Sequence, residues 1–180
     1  MRLRLIAGTL GGRFLDAPDT QTTHPMSERI RGSLFNILGD ITGKTVLDAF
    51  AGSGALSFEA VSRGAKSALL LEKDKVAQKI IAKNIAALGV SERMQLIKAN
   101  CRSWSEQNPE VTFDLILLDP PYHDLQLSTV SLLANHLNVN GLMVLSYPGR
   151  DSAPTVNGVV VVDNRSYGDA ALAFYRQDRP

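Results

Sequence analysis

From Gly43 onward, short apolar runs alternate with segments in which apolar residues recur every three or four positions. The short runs predict buried strands, and the longer recurrence predicts helices. The predicted strands are 45–47, 67–71, 94–97, 113–118 and 141–145, and the predicted helices are 55–62, 76–88 and 127–137. Strands that alternate with helices indicate an α/β fold, with a parallel sheet covered on both faces.

The carboxyl-terminal part of the chain breaks this alternation. Two strand-like runs, 159–162 and 171–175, follow one another with no helical pattern between them. The simplest interpretation is an antiparallel hairpin that closes the sheet, with Tyr167-Gly168-Asp169 as its turn.

The first 40 residues carry a different pattern, which predicts an amino-terminal extension before the α/β domain of residues 41–180. Residues 3–7 and 13–15 flank a glycine-rich turn, as in a small hairpin. Ser27 can cap a helix that ends at Gly39. The apolar positions of that helix are Ile30, Leu34, Ile37 and Leu38.

Composition narrows the class of protein further. The 180 residues include 44% hydrophobic residues and carry a net charge of only +1, so any nucleic-acid surface has to be local. Five amino-terminal arginines are the candidates for RNA contact: Arg2, Arg4, Arg13, Arg29 and Arg31. Cys101 is the only cysteine, which excludes internal disulfides. With no apolar run as long as a membrane span and too short an apolar start for a secretory signal, a cytoplasmic protein is expected.

A cofactor signature lies in residues 46–56, which predict a strand, a tight turn and a helix start. Gly52 and Gly54 allow the backbone to approach a ligand closely, and the helix presents free N–H groups. Asp48 would repel a pyrophosphate but accept from an ammonium group, and the three-glycine dinucleotide spacing is missing. Glu72, 24 residues beyond Asp48, is placed to accept from ribose hydroxyls. Together these features favour S-adenosylmethionine.

Asn100 follows the next strand and can hydrogen-bond the edge of an adenine ring, while the neighbouring Cys101 is more typical of packing than of chemistry. The full set predicted for the cofactor is Asp48, Phe50, Gly52, Gly54, Glu72, Lys73, Asn100, Cys101 and Asp119.

The buried run 115–118 ends in Asp119-Pro120-Pro121-Tyr122. Proline has no backbone N–H, so the two prolines end the hydrogen bonding of the predicted strand to its neighbours. In open parallel sheets, ligands bind beyond the carboxyl ends of the strands. An acid, a fixed carbonyl and a stacking ring at that place indicate a site for a flat, nitrogen-bearing substrate, interpreted as a nucleobase. These four residues are the predicted catalytic set.

Four stretches together resemble the RsmD family of class I methyltransferases, over nearly the full length of the chain. They are residues 6–13, 24–38, 119–122 and 167–176. One departure is His24-Pro25-Met26, where the family usually has Arg-Pro-Thr. The resemblance implies a Rossmann-like fold with a mostly parallel seven-stranded sheet and an antiparallel carboxyl-terminal hairpin strand.

The resemblance further implies methyl transfer from S-adenosylmethionine to the exocyclic N2 of a guanine in small-subunit (16S) ribosomal RNA. Asp119 and the Pro120 carbonyl would accept from the amino group, and Tyr122 would stack on the base. Ribosomal RNA or the assembling small subunit is the expected partner, and a monomer is expected. Which guanine is methylated, and whether His123 takes a proton, stay open.

Three alternatives to this function stay open as well. An adenine-N6 methyltransferase of DNA or RNA would use the same Asp-Pro-Pro-Tyr motif. A non-catalytic S-adenosylmethionine-binding ribosome assembly factor would keep the cofactor residues, although the intact residues 119–122 argue against it. A nucleotide-linked oxidoreductase is disfavoured by the glycine spacing.

Overall fold

A computed structural model describes residues 1–19 and 25–178, so His24 of His24-Pro25-Met26 lies outside the described residues. The described part contains a two-stranded antiparallel sheet and a seven-stranded sheet. The small sheet pairs β1 (Arg2–Arg4) with β2 (Phe14–Asp16). The large sheet comprises β3 (Thr45–Ala49), β4 (Ser67–Leu71), β5 (Met94–Ile97), β6 (Phe113–Leu118), β7 (Leu137–Pro148), β8 (Val159–Tyr167) and β9 (Ala170–Gln177).

The strand order in the large sheet is β5-β4-β3-β6-β7-β9-β8. The first five strands in that order are parallel, and β9 runs antiparallel to both β7 and β8. This topology agrees with the Rossmann-like fold and antiparallel carboxyl-terminal hairpin that the resemblance implies. Gly168 and Asp169 form the turn of that hairpin, since Tyr167 pairs with Ala170.

The helices are α1 (Glu28–Leu38), α2 (Ala55–Ser62), α3 (Lys75–Leu88), α4 (Cys101–Gln107) and α5 (Leu127–Ala134). Side chains cap the amino ends of α1, as predicted, and of α3. Ser27 accepts a hydrogen bond from the Ile30 amide at 3.2 Å, and Asp74 accepts one from the Ala77 amide at 2.9 Å. Gly89 ends α3 with a φ of 67°, a conformation that costs glycine little.

Helix α4 was not predicted, because its seven residues carry only Cys101 and Trp104 as buried apolar side chains. One helical turn separates the two, which is too little for a periodic pattern. Strand β7 begins at Leu137, earlier than the predicted residue 141, and takes its first residue from the predicted helix 127–137. Asn138, Asn140 and Gly141 have low strand propensity, but β7 pairs with β6 on both sides of them, at Leu137 and again from Leu142.

The core lies on both faces of the large sheet. In β6, Leu115 and Leu117 face one hydrophobic cluster, while Ile116 and Leu118 face the other, and none of these side chains is more than 3% exposed. A strand buried on both faces has a continuous apolar sequence, which is the pattern of residues 115–118.

The amino-terminal extension packs on this core. Leu5 and Leu15 of the hairpin are fully buried in the same cluster as the apolar faces of α2 and α3. Asn84 of α3 donates to the Asp16 carbonyl at 2.8 Å and accepts from the Asp16 amide at 3.2 Å. Among the described residues, no helix is both long and apolar enough to cross a bilayer.

Candidate active site

A cavity of about 590 Å³, called here the first cavity, opens at the carboxyl ends of the parallel strands. Asp48 reaches it from β3, Glu72 from the end of β4, and Asp119 from the end of β6. Of the predicted cofactor residues, those that line the cavity are Asp48, Phe50, Gly52, Glu72, Lys73, Asn100, Cys101 and Asp119. The structure therefore brings together side chains that are up to 71 positions apart in sequence.

Gly54 is the predicted cofactor residue that does not line the cavity. It precedes α2 with a φ of 78°, and a Cβ there would lie 3.1 Å from the Phe58 ring and 3.2 Å from Leu70. Glycine is thus required for the turn and for close packing of α2 on the sheet. Gly54 therefore fixes the conformation of the loop and does not line the cavity.

The loop between β3 and α2 is tied to the end of β4 by Glu72. One carboxylate oxygen of Glu72 accepts from the Gly52 amide at 2.7 Å, and the other accepts from the Asp74 amide at 2.8 Å. Phe50 adopts a φ of 58°, which is an outlier for a bulky side chain. Strain of this kind persists where the surroundings over-determine the backbone, and it is concentrated at functional sites.

Asp48 is buried beneath this loop, with 1% of its surface exposed. The Ser57 hydroxyl donates to its carboxylate at 2.6 Å. Burial is the main cause that raises the pKa of Asp48 to about 8, and the charges of Asp119 and Glu72 contribute to the rise while the Ser57 hydrogen bond opposes it. A cation bound beside Asp48 would lower that pKa, so the carboxyl is suited to a ligand that brings its own positive charge.

We expect Asp48→Asn to remove part of the pH dependence of folding. Because the pKa of Asp48 rises from 3.8 to about 8 on folding, the folded state binds the additional proton between these values, and stability falls as pH rises through them. The free energy of unfolding of the variant should therefore exceed that of the natural protein by a margin that grows by up to about 1.4 kcal/mol per pH unit. Urea denaturation at pH 5, 6, 7 and 8 measures the margin.

Asp114→Asn is the matched control for that experiment. Asp114 accepts hydrogen bonds from Thr45 and Asn138, which lower its pKa. Its contribution to stability is complete above the unfolded pKa, so this variant should be destabilised by a constant amount from pH 5 to 8. If the difference in free energy of unfolding between Asp48→Asn and the natural protein is also the same at every pH, Asp48 is not a group that takes up a proton on folding.

Asp119 and Tyr122 stand at opposite ends of the loop that follows β6. Burial raises the pKa of Asp119 to about 6, and the neighbouring Ser146 hydroxyl partly opposes this rise. The Tyr122 hydroxyl lies 2.6 Å from the Ser146 Oγ, which orients the ring while leaving the residue 40% exposed. Pro121 lines the first cavity and Tyr122 lines a second cavity, so this loop borders both.

Asn100 and Cys101 begin α4 at the rim of the first cavity. The Asn100 side-chain oxygen accepts from the Ser103 amide at 2.8 Å, so it caps the helix in addition to facing the cavity. Cys101 is buried, and burial raises the pKa of its thiol to about 11. The thiol is therefore neutral at pH 7 and packs as a small apolar group.

Four of the five predicted RNA-contacting arginines are accessible on the amino-terminal extension. Arg13 and Arg29 are exposed, Arg2 lies over the Phe14 ring with 4.3 Å to the centroid, and Arg4 forms an exposed ion pair with Glu28.

The expected exposure of Arg31 is wrong. Arg31 is 1% exposed, its Nη1 lies 2.7 Å from the Glu59 carboxylate, and its Nη2 donates to the Arg4 carbonyl at 2.9 Å. The helical pattern placed it correctly on α1 but could not show that the face it occupies meets α2. A buried guanidinium with these partners cannot serve as a surface contact for RNA phosphates.

Sequence reasoning missed three polar residues that position the site: Ser57 beneath Asp48, Ser146 beside Tyr122, and the fully buried Glu59. Glu59 left a signal, since it is the one acid in the otherwise apolar and small-residue segment 55–62. A charge inside a buried helix requires a partner, and Arg31 and Arg63 provide it.

Among residues 1–19 and 25–178, which include two of the three histidines, no group of three or more histidine, cysteine or acidic side chains is arranged to hold a metal ion. His136 is buried in the core, with Nε2 2.8 Å from Ser105 Oγ and Nδ1 2.6 Å from the Val111 carbonyl. His123 is exposed and lines the second cavity.

Comparison with known proteins gives consistent similarities over the full chain. Residues 3–176 match the family described as conserved hypothetical protein 95. Ribosomal RNA small subunit methyltransferase D of Haemophilus influenzae is 37% identical over 180 residues, with 97% of this chain and 93% of that protein covered. The protein of the same name from Escherichia coli strain K12 is 33% identical over 159 residues, with 86% and 79% covered. The solved structure of the yhhF protein from Escherichia coli matches with a TM-score of 0.88 at 30% identity, and both chains are covered completely.

Proposed function

The chain belongs to the conserved hypothetical protein 95 family, the family of ribosomal RNA small subunit methyltransferase D, and we propose that it methylates the exocyclic N2 of a guanine in small-subunit ribosomal RNA. At the coarser level it is an S-adenosylmethionine-dependent ribosomal RNA methyltransferase. One observation carries the proposal for the reacting group. Asp119, which lines the first cavity with Asp48 and Glu72, and Tyr122 belong to the same loop after β6, and both approach the Ser146 hydroxyl.

The residues of the first cavity fit S-adenosylmethionine. Bound there, the cofactor supplies a methyl group that its sulfonium already activates. Asp48, buried and without a cationic partner among the described residues, is suited to the ammonium group of the amino-acid part. Glu72, whose oxygens already hold the Gly52 and Asp74 amides, would accept ribose hydroxyls with its remaining lone pairs. Asn100, at the rim, would meet the adenine ring.

The loop from Asp119 to Tyr122 would position the target base. Tyr122 stacks on the ring, which contributes about 1–3 kcal/mol. The Asp119 carboxylate and the Pro120 carbonyl accept from the amino group, so its lone pair is directed toward the activated methyl. With a pKa of about 6, Asp119 is mostly ionised at pH 7 and can still receive a proton from the methylated nitrogen. Most of the rate gain then comes from orientation.

The exposed arginines Arg2, Arg4, Arg13 and Arg29 would hold the RNA backbone, and residues 1–40 would form the RNA-contacting part beside the methyltransferase domain of residues 41–180. Phosphate contacts of this kind fix the register of the RNA and release counterions. Because one cavity and one amino-terminal surface belong to the same chain, a monomer suffices for this arrangement.

Adenine N6 is the second candidate, since Asp119 and the Pro120 carbonyl can accept from any exocyclic amino group. The deciding experiment incubates the protein and radiolabelled S-adenosylmethionine with small-subunit particles and with RNA from a strain that lacks the corresponding gene. We expect label in N2-methylguanosine after digestion to nucleosides. Label in N6-methyladenosine would move the target to adenine, and cofactor binding without transfer would favour the assembly-factor role.

The salt dependence of the affinity for the same RNA tests whether the exposed arginines contact it. RNA affinity should fall steeply between 50 and 200 mM salt, and Arg13→Gln with Arg29→Gln should reduce the slope of log affinity against log salt by about 0.7–0.9 per lost contact. Lys66→Gln is an exposed control outside the extension. An unchanged slope in the double variant would place the RNA elsewhere.

A further inference from the structure

A second cavity of about 420 Å³ is bordered by the same loop that follows β6. It is lined by Tyr122 and His123 from that loop, by Pro148 and Arg150 after β7, and by Gly168 and Asp169 of the β8–β9 turn. Because Pro121 lines the first cavity and Tyr122 the second, a base stacked on Tyr122 would have its amino group near Asp119 and the rest of its edge toward this second cavity.

The backbone around the second cavity is held in place from both sides. The Gly149 amide donates to the Asp169 carbonyl at 2.9 Å, and Pro148 pairs with Ala170 in the antiparallel ladder. A Cβ at Gly149 would lie 1.9 Å from the Gly168 carbonyl oxygen, so only glycine permits this close approach. Arg150 and Asp169 are thereby carried on two adjoining, hydrogen-bonded segments at the cavity rim.

The turn is also anchored to the amino-terminal extension. The Tyr167 hydroxyl lies 2.6 Å from Ser33 Oγ of α1, although the two residues are 134 positions apart. The part of the molecule that carries Asp169 is therefore connected to the helix that precedes the methyltransferase domain. The β8–β9 turn is thus held by contacts with β7 on one side and with α1 on the other. A turn held in this way keeps the side chain of Asp169 at a constant distance from the loop after β6, which suits recognition of a base.

The charged groups at this rim have no strong partners of their own. Asp169 makes no side-chain hydrogen bond or ion pair with any residue in 1–19 or 25–178, and the Arg150 side chain is 87% exposed. The nearest acid to Arg150 is the adjacent Asp151, at 4.0 Å, a distance too long for a hydrogen bond. An acceptor and a multiple donor are thus both available beside the ring of Tyr122.

The geometry points to Asp169 and Arg150 as the residues that select guanine over other purines that carry a 2-amino group. Along one edge, guanine presents the N2 amino group, the N1–H donor and the O6 acceptor in succession. With N2 at Asp119, the Asp169 carboxylate accepts from N1–H and the Arg150 guanidinium donates to O6. A purine with an unprotonated N1 and a 6-amino group presents the reverse pattern, so an acceptor would face an acceptor and a donor would face a donor.

This inference rests on the proposed guanine-N2 activity. The probe is a base analogue, chosen so that the experiment distinguishes a failure of that activity from a failure of the roles given to Asp169 and Arg150. 2,6-Diaminopurine keeps the N2 amino group but reverses the pattern at N1 and at position 6. The substrate is an RNA fragment that the natural protein labels, prepared once with guanine and once with 2,6-diaminopurine at the target position. Nucleoside analysis separates methylation at N2 from methylation at the 6-amino group.

We expect the natural protein to favour guanine over 2,6-diaminopurine by about 10- to 100-fold in kcat/KM for N2 methylation. Asp169→Asn and Arg150→Gln should each reduce this preference by about tenfold, and Asp169→Asn should do so by losing rate on guanine. Both residues lie at the surface, so folding is not at risk. Asp178→Asn, an exposed acid at the opposite end of β9, is the matched control and should leave the preference unchanged.

The outcomes are distinct. If the natural protein labels no N2 of guanine, the proposed function fails and the inference fails with it. If guanine N2 is labelled but both variants keep the preference within twofold of the natural protein, the inference is overturned while the function stands. A reduced preference in both variants together with an unchanged one in Asp178→Asn supports it, because a merely structural role would lower both rates together.

Discussion

Asp119→Ala is expected to lower kcat for methyl transfer by about 10³-fold, since it removes the cavity-lining carboxylate at the end of β6 that we propose accepts from the target amino group. The loss should fall on kcat, because the alanine leaves Tyr122, the proposed RNA surface, Asp48 and Glu72 in place. Single-turnover transfer at saturating cofactor and RNA measures it directly.

The pH profile separates this role from a general disturbance of the site. Burial holds the pKa of Asp119 at about 6, so the carboxylate is lost as pH falls through that value and kcat of the natural protein should drop about tenfold per pH unit below it. Asp119→Asn keeps an acceptor oxygen that does not titrate, so its lower rate should be flat across the same range. A rate within threefold of the natural one in Asp119→Ala would remove the residue from the mechanism.

Glu59→Gln is expected to lower the free energy of unfolding by about 3–5 kcal/mol, the largest effect on stability that the structure indicates. Glu59 has no exposed surface and accepts from the Arg31 and Arg63 guanidinium groups and from the amides of Ile6 and Ala7. The amide of glutamine would present a donor where these donors converge and leave Arg31 buried without a counter-charge. Urea denaturation at pH 7 measures the loss.

Two further variants test whether the loss comes from the unpaired buried charge: a double variant of Arg31 and Glu59, and a variant of the exposed Arg4–Glu28 pair. Arg31→Met with Glu59→Gln removes both buried charges and keeps an acceptor oxygen for the Ile6 and Ala7 amides, so it should be more stable than Glu59→Gln alone. Glu28→Gln breaks the exposed pair with Arg4 and should leave stability within experimental error of the natural protein, since solvent screens it. Equal losses in Glu59→Gln and Glu28→Gln would contradict a special role for the buried pair.

The arginines of α1 show that a local sequence pattern predicts the helix but not which of its side chains are buried. Arg29 and Arg31 are two positions apart on α1, and helical geometry correctly separates their faces. Nothing in the pattern of α1 shows that Glu59, 28 positions after Arg31, comes to lie against one of those faces. The exposure of Arg29 and the burial of Arg31 are decided by how α1 packs on α2, which is a property of the assembled fold.

Asn100 gives a second example at the site. Its position after a strand predicted a contact with the cofactor, and it does line the first cavity. Its capping of α4 was not predicted, since that helix has too few apolar positions to show a period. Short helices are stabilised mainly by packing and caps, so their sequences carry little independent signal.

The sequence by itself determined the elements of the α/β domain (except α4), the carboxyl-terminal hairpin, and the convergence of Asp48, Glu72 and Asp119 at one edge of the sheet. It could do so because apolar periodicity and turn residues are local, and because parallel strands necessarily bring their carboxyl ends together. Only the tertiary structure decided the burial that sets the pKa of Asp48 and Asp119, the Arg31–Glu59 pair, and the placement of Arg150 beside Asp169. These depend on which surfaces meet across long sequence separations, and desolvation and pairing of charges arise only once those surfaces are in contact.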